Sequence, residues 1–222
     1  LSNENWTNAA VIITITPGSD SLSGIKTIER QISTDGGDTW SEWTTYTAPF
    51  EISDAGITHV RARNTDQADN VSELSDVKII RIDKTVPAAP SVTLSTEAWT
   101  NQNVTVTIAS GTDGQSGVNR TEYRTRLNSG SWTAWTRYTV PFTISVEGQT
   151  EVVARTIDNA GNTSAASPTK TARIDKTAPI VSGVANNQTY TVDVTITFNE
   201  GTATLNGNAF TSGNKVTANG EY

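Results

Sequence analysis

The sequence predicts an all-β protein in which two tandem β-sandwiches are followed by the opening of a third, truncated β domain. Three observations carry this prediction. Hydrophobic residues make up only 35% of the 222 residues, and Thr, Ser, Asn and Gly are abundant, which suits short strands joined by turns. The chain repeats itself after about 92 residues. No segment has the periodicity of an amphipathic helix.

The repeat spans the whole of both copies. Its matched segments lie 92 or 93 residues apart and are Trp6-Thr7-Asn8 and Trp99-Thr100-Asn101, Asp20 with Ser23-Gly24 and Asp113 with Ser116-Gly117, Trp40 with Trp43 and Trp132 with Trp135, Asp66 with Asn70 and Asp158 with Asn162, and Arg81–Pro87 and Arg173–Pro179. A unit of this length is too long for a solenoid repeat and fits a complete sandwich domain. Residues 1–87 and 88–179 are therefore predicted to form the two sandwiches.

Strands and turns can be recognised within each copy. Val104, Val106 and Ile108 alternate with polar residues, which predicts a strand with one buried face, and residues 11–15 show the same period. The turn at residues 158–162 contains Gly161, which allows a positive φ. The first copy has Asp69 at that position, so its hairpin is expected to differ.

The pattern changes after Pro179. Val192, Val194, Ile196 and Phe198 alternate as a further strand, and a stretch rich in Gly and Asn follows. Residues 180–222 are about half of a sandwich, so we predict a partial third domain with an incomplete core. The chain begins with Leu1 and contains no Met, and we expect it to be a piece of a longer polypeptide.

Composition and charge exclude several classes of function. The net charge of −7 argues against nucleic acid as a partner and against binding to an anionic membrane surface. No apolar run approaches the roughly 20 residues that cross a bilayer, so membrane insertion is not predicted. Cysteine is absent, which points away from small disulfide-stabilised animal domains.

The motifs together resemble a known family. Trp-Thr-Asn, Asp-x-x-Ser-Gly, Tyr-Thr-x-Pro-Phe, Thr-x-Asp-Asn-Ala-Gly-Asn-x-Ser and Ile-Asp-Lys-Thr-x-Pro, in this order, are similar to bacterial immunoglobulin-like repeats of Gram-positive surface-layer, adhesin-like and polysaccharide-degrading proteins. Residues 198–207 resemble a neighbouring immunoglobulin-like subtype. The resemblance implies a secreted or cell-surface protein, with modules that act mostly as spacers and stalks. Their partners would be neighbouring domains of the same polypeptide.

Catalysis is not predicted. His59 is the only His, it lies in an alternating strand beside Val60, and we expect it to face solvent. Without Cys there is no thiol nucleophile, and no phosphate loop, dinucleotide fingerprint or HExxH motif is present. The carboxylates that repeat, as Asp20 does at Asp113, are interpreted as framework.

The tryptophans offer a binding hypothesis. Trp40 and Trp43 are three residues apart on a predicted strand, so they should face opposite sides of it. We expect Trp40 and Trp132 in the two cores and Trp43 and Trp135 on the surface. An exposed ring can stack on a sugar, which makes Trp43 and Trp135 candidates for polysaccharide or cell-wall binding; packing against an Arg or the next domain is the alternative.

Aspartates offer a metal hypothesis. Asp83 and Asp175 lie in the interdomain linkers, and Asp66 and Asp158 lie in turns that could reach the same end of a sandwich. Carboxylates that meet between domains can bind Ca²⁺ and stiffen a tandem array. These four residues are therefore calcium-ligand candidates, although Asp also caps turns without any metal, and no other cofactor is predicted. The leading function is a non-catalytic spacer, and a carbohydrate-binding accessory module is the alternative.

Overall fold

The structure, a computed structural model, describes residues 5–218, and all regular elements among them are β-strands. The chain divides into two compact units, Leu1–Ile174 and Asp175–Tyr222. The first unit contains both copies of the sequence repeat, called here the first repeat and the second repeat. The boundaries predicted at residues 87/88 and 179/180 remain predictions.

The first repeat is a sandwich of two sheets. Its strands are β1 (Trp6–Thr7), β2 (Val11–Ile13), β3 (Ile25–Ser33), β4 (Thr44–Thr45), β5 (Phe50–Ile52), β6 (Gly56–Asp66) and β7 (Lys78–Ile82). One sheet has the order β1-β7-β6-β3-β4, and β2 pairs with β5 in the other. All neighbours are antiparallel except β1 and β7, which are parallel.

The second repeat has the same plan with one additional strand. Its strands are β8 (Ser91–Leu94), β9 (Trp99–Thr100), β10 (Val104–Ala109), β11 (Val118–Leu127), β12 (Thr136–Arg137), β13 (Phe142–Ile144), β14 (Gly148–Asp158) and β15 (Lys170–Ile174). One sheet has the order β12-β11-β14-β15-β9, and the other has the order β13-β10-β8. The fold of both repeats is therefore an immunoglobulin-like sandwich, as the sequence predicted.

Each repeat has its own apolar core between its two sheets. In the second repeat, Val104, Val106, Val152 and Ala154 are fully buried. In the first repeat the core is smaller and consists of Ile13, Ile52, Val60, Ile80 and Ile82. Alternating apolar residues in facing strands produce both cores, because every second side chain of a strand points to the same face.

The hairpin at Asp69 does not differ from its counterpart. Asp69 has a φ of +65° and Gly161 a φ of +92°, so both take a left-handed conformation. The Asp66 amide donates to the Asn70 carbonyl, as the Asp158 amide does to Asn162. An Asp tolerates this conformation better than most side chains, so the turn is retained without Gly.

The second unit is a smaller β structure. Its strands are β16 (Val181–Ser182), β17 (Val194–Thr195), β18 (Thr197–Phe198), β19 (Ala203–Leu205), β20 (Asn208–Phe210) and β21 (Lys215–Val216), which pair as β16-β18, β17-β21 and β19-β20. Within residues 175–218 every side chain is exposed or half-buried. Residues 175–218 therefore contain no fully buried apolar core.

Candidate functional site

Asp83 leaves the first repeat and is buried at the edge of the second. It follows β7, where its amide donates to the Thr7 carbonyl at 2.9 Å. Its carboxylate accepts hydrogen bonds from the Thr85 amide at 2.8 Å and from the Ser116 amide at 3.0 Å, and the residue is 0% exposed. Burial opposes ionisation, but the hydrogen bonds from Ser116 and Thr85 outweigh it and hold the Asp83 pKa below its ordinary value.

Asp113 comes from the loop between β10 and β11. Its Oδ2 accepts hydrogen bonds from the Gly117 amide at 2.6 Å and the Gln115 amide at 3.2 Å. The loop of the first repeat is built in the same way, because Asp20 Oδ2 accepts from the amides of Ser23 and Gly24, both at 2.7 Å. The Asp-x-x-Ser-Gly motif thus orients one carboxylate oxygen inward and leaves the other available.

Asp158 ends β14 and begins the hairpin turn. Its Oδ1 accepts from the Asn162 amide at 2.7 Å, and its Oδ2 accepts from the Asn162 side chain at 2.8 Å. The residue is 1% exposed. The same Asn162 side chain also donates to the Asp83 carbonyl at 2.8 Å, so this turn holds the linker as well as the carboxylate.

The three carboxylates form one cluster. One carboxylate oxygen from each of Asp83, Asp113 and Asp158 lies within 4.8 Å of the other two. Asp113 Oδ1 is buried and has no hydrogen-bond donor, which leaves a buried polar atom without a partner. Three carboxylates this close repel one another strongly in a region of low dielectric, so a cation would relieve the repulsion.

The residues present fit Ca²⁺. Oxygen ligands lie about 2.3–2.6 Å from Ca²⁺, so any two ligands of one ion are at most about 4.6–5.2 Å apart. The three carboxylates lie within that limit. A donor set made only of carboxylates suits hard cations and lacks the imidazole or thiolate that zinc sites use. Asp83, Asp113 and Asp158 are therefore the residues that would hold the ion.

The structure brings together two of the four predicted ligand candidates. Asp83 and Asp158 meet, whereas Asp66 accepts hydrogen bonds from Asn70 in the first repeat, and Asp175 is exposed at the start of the second unit. Within residues 5–218, neither Asp66 nor Asp175 belongs to a group of three acidic residues. The sequence analysis did not name Asp113 as a ligand candidate, because it interpreted the repeated carboxylates Asp20 and Asp113 as structural residues. That repetition was the one sequence signal that pointed to Asp113.

The positions of the tryptophans contradict the prediction that Trp40 and Trp43 face opposite sides of a strand. Trp40 and Trp43 lie in an irregular segment before β4, and both pack on the outer face of the five-stranded sheet. Neither Trp40 nor Trp132 belongs to a core cluster. The prediction of opposite faces was wrong because it assumed that residues 40–43 form a strand, whereas they lie outside any strand and the alternation of a strand does not apply to them.

Arginines lie against these rings. In the first repeat the Arg61 guanidinium lies 3.9 Å from the Trp40 ring centroid, and Arg63 lies 4.0 Å from the Trp43 centroid. In the second repeat Arg124 lies 4.8 Å from Trp132 and 4.6 Å from Trp135. Trp43 and Trp135 are half-buried, so polysaccharide binding by these residues remains a prediction.

The arginine that contacts both tryptophans comes from a different strand in each repeat: Arg61 from β6 and Arg124 from β11. Gln31 on β3 pairs across the sheet with Arg61 on β6, whereas Arg124 on β11 pairs with Val153 on β14. These two cross-strand pairs are equivalent in the sequence repeat. Either strand can thus supply the guanidinium that contacts both tryptophans, which indicates that the stack itself is what the fold retains.

His59 lies on β6 between the buried Thr58 and Val60, so it is on the sheet face away from the core, as expected. It is half-buried there, and its Nδ1 is shielded from solvent without a hydrogen-bond partner. The cross-strand neighbour of His59 on β7 is Ile79, which is half-buried.

Across residues 5–218 there is no helix with the length and apolarity that a membrane crossing requires.

Comparison with known proteins gives no family assignment. No family model matches the chain, and no curated protein matches it. Among solved structures, it is similar to the FN1–FN3 domains of chicken CNTN1 at 14% identity and a TM-score of 0.39, covering 76% of this chain and 64% of that one. The chain thus spans less than two thirds of the length of that fragment.

Two bacterial structures are also similar. The fibronectin(III)-like modules of Clostridium thermocellum CbhA match at 16% identity with a TM-score of 0.36, over 77% of this chain and 88% of that one. The D00–D0 domain of intimin matches at 16% identity with a TM-score of 0.27, over 77% and 95% of the two chains. Similarities this distant carry no argument about function.

Proposed function

We propose that this chain is a non-catalytic spacer of an extracellular protein, and that bound Ca²⁺ fixes the joint between its two sandwiches. The observation that carries the proposal is the burial of Asp83, a linker residue, against Asp113 and Asp158 of the next repeat. One ion there would be held by residues from both sides of the joint. Its binding energy would therefore oppose bending.

The linker itself supports a stiff joint. Pro87 and Pro90 are buried, and the Ala88 amide donates to the Thr112 carbonyl at 2.8 Å. Each proline fixes its own φ, so the segment loses little conformational entropy when it docks. A docked linker that contains two prolines differs from a flexible Gly- and Ser-rich tether.

The repeat motifs support a location outside the cell. They resemble bacterial immunoglobulin-like modules, which favours a secreted or cell-surface protein of a Gram-positive bacterium as the parent. Extracellular modules commonly bind Ca²⁺ in the 10⁻⁴–10⁻³ M range, where ambient calcium keeps such sites filled. A spacer of this kind would set the distance between a cell-wall attachment or catalytic partner and its target.

A distance measurement between the repeats tests the proposal. The chain has no native Cys, so a spin label can be placed at each of two equivalent exposed positions with the changes Thr47→Cys and Thr139→Cys. Pulsed electron spin resonance should give a narrow distance distribution in Ca²⁺ and a broader one in EDTA. Adding Asp113→Asn should give the broad distribution in both buffers, whereas the matched change Asp20→Asn should not.

Two results would contradict the proposal. A broad distribution in Ca²⁺ would show that the joint is flexible and would reject the spacer function. A narrow distribution that is identical in EDTA and in the Asp113→Asn protein would show that the linker contacts are sufficient and would reject the role of calcium.

A further inference from the structure

Among residues 5–218, the first repeat has no strand equivalent to β8 of the second repeat. In the second repeat, β8 pairs with β10, and the partners include Val92 opposite Ile108 and Leu94 opposite Val106. In the first repeat, β2 pairs with β5, and among residues 5–218 no strand pairs with its other side. The sequence repeat aligns Leu1 with Leu94, so Ser91–Thr93 of β8 have no counterpart in the sequence.

The core of the first repeat is open where β8 covers the second. Ile108 is 6% exposed and Ala154 is 0% exposed, whereas their counterparts Ile15 and Ala62 are only half-buried. Ser164 and Ser167 are buried, whereas their counterparts in the first repeat are exposed. These differences in burial are explained by one strand, because β8 supplies Val92 and Leu94 to the core of the second repeat.

A groove occupies this position in the first repeat. Residues 13–16 and Gly18 form one wall, and Val60, Ala62 and Leu74 lie on the other. Residues 13–16 are the counterparts of Val106–Ala109, the four residues that pair with β8. The groove therefore combines an unpaired strand edge with apolar side chains, which are the two features that bind an added β-strand.

Gly18 shows how the chain would reach the groove. A Cβ on its counterpart Gly111 would lie 1.8 Å from the Ala88 carbonyl oxygen, so the linker needs a glycine there. At Gly18 the nearest atom to such a Cβ is Asn64 Nδ2 at 2.8 Å, which is the end of a flexible side chain. The contacts of the first repeat do not require this glycine, but a linker crossing it would.

We propose that this groove is the docking site for a β-strand of the form Pro-Ser-Val-Thr, joined directly to Leu1 and entering from the N-terminal side of the first repeat. Its Val would lie opposite Ile15, as Val92 lies opposite Ile108. The residues before the Pro would cross Gly18. Docking completes the sheet and needs no metal, so this inference is independent of the proposed calcium site.

The test extends the full chain at its N-terminus. One protein carries Ala-Ala-Pro-Ser-Val-Thr before Leu1, and the matched control carries Ala-Ala-Pro-Ser-Asp-Thr. Hydrogen exchange of residues 13–16, measured in EDTA, should be slowed about tenfold or more by the Val extension alone. The melting temperature of the first repeat should rise by about 5 °C or more relative to the control.

Two outcomes would overturn the inference. Equal exchange and equal melting for the two extended proteins would show that the groove does not accept the strand. If the unextended chain dimerises in sedimentation experiments and residues 13–16 become protected as its concentration rises, the occupant is a second copy rather than an N-terminal strand. Because both measurements are made in EDTA, neither outcome depends on whether calcium fixes the joint.

Discussion

The Asn162 side chain donates a 2.8 Å hydrogen bond to the Asp83 backbone carbonyl, and so links a turn of the second repeat to the end of the first. The same amide also binds the Asp158 carboxylate. Within residues 5–218, the side chain of Asn70, the counterpart of Asn162, donates to Asp66 alone, inside its own turn. The same residue type at equivalent positions therefore stabilises only a turn in the first repeat, whereas in the second repeat it also stabilises the joint between the two sandwiches.

This relationship predicts different costs for two equivalent substitutions. Asn162→Ala removes hydrogen bonds to two partners at a buried joint and should lower the free energy of unfolding of the second repeat by about 2 kcal/mol. Asn70→Ala removes an exposed bond and should cost the first repeat less than about 1 kcal/mol. Calorimetry of the two variants gives the comparison, and equal losses would contradict it.

The acidic cluster predicts an effect of Asp113→Asn that changes sign with calcium. In EDTA the substitution removes one of three mutually repelling carboxylates, and the second repeat should gain about 1–3 kcal/mol of stability. In millimolar Ca²⁺ the variant should be less stable than the unmodified chain, because it has lost a ligand. Thermal unfolding in the two buffers measures both effects. A variant that is less stable in EDTA as well would show that Asp113 is framework only.

The lowered pKa of Asp83 predicts a pH dependence of stability. An Asp whose folded pKa lies below its ordinary value of 3.8 stabilises the folded state fully above that value. This contribution is lost as the pH falls from 3.8 through the lower folded pKa. The stability difference between the unmodified chain and Asp83→Asn should therefore shrink below about pH 3.8. Urea titrations between pH 2.5 and about pH 6 measure it, and a constant difference would refute it.

The tryptophan stack predicts similar effects for Trp40 and Trp43. Both rings are half-buried against arginines, so replacing either with Ala should cost the first repeat about 1–3 kcal/mol. Trp99 is 57% exposed, and Trp99→Ala should cost less than about 1 kcal/mol as a control. A loss at Trp40 that far exceeds the loss at Trp43 would restore the prediction that Trp40 is a core residue.

Gly111 and Gly18 are equivalent in the repeat, but the structure predicts that only Gly18 tolerates substitution by Ala. Gly111→Ala places a Cβ against the Ala88 backbone, and the linker must move to admit it, so the second repeat should lose about 3 kcal/mol or more. Gly18→Ala meets only the Asn64 side chain and should change the stability of this chain by less than about 1 kcal/mol. Differential scanning calorimetry of both variants decides the matter, and a large loss at Gly18 would show a local role for that glycine.

The sequence by itself determined the all-β class, the two repeats and the apolar residues of most core strands, and it placed Asp83 and Asp158 among four calcium-ligand candidates. These features follow from periodicity and repetition, which are local properties of the chain. A buried face was predicted for residues 11–15 and 104–108, and Ile13, Val104, Val106 and Ile108 lie in the two cores.

Only the tertiary structure decided which carboxylates share a site, which way the tryptophans face and which strand edge is unpaired within residues 5–218. Asp113 joins the cluster because two loops and a linker converge, and no spacing along the chain encodes that distance. Trp40 left the predicted core because its segment pairs with Ile32 through Ser41 rather than as a regular strand. The open groove appears only by comparison of two packed cores, because an edge is unpaired or covered according to which strands surround it.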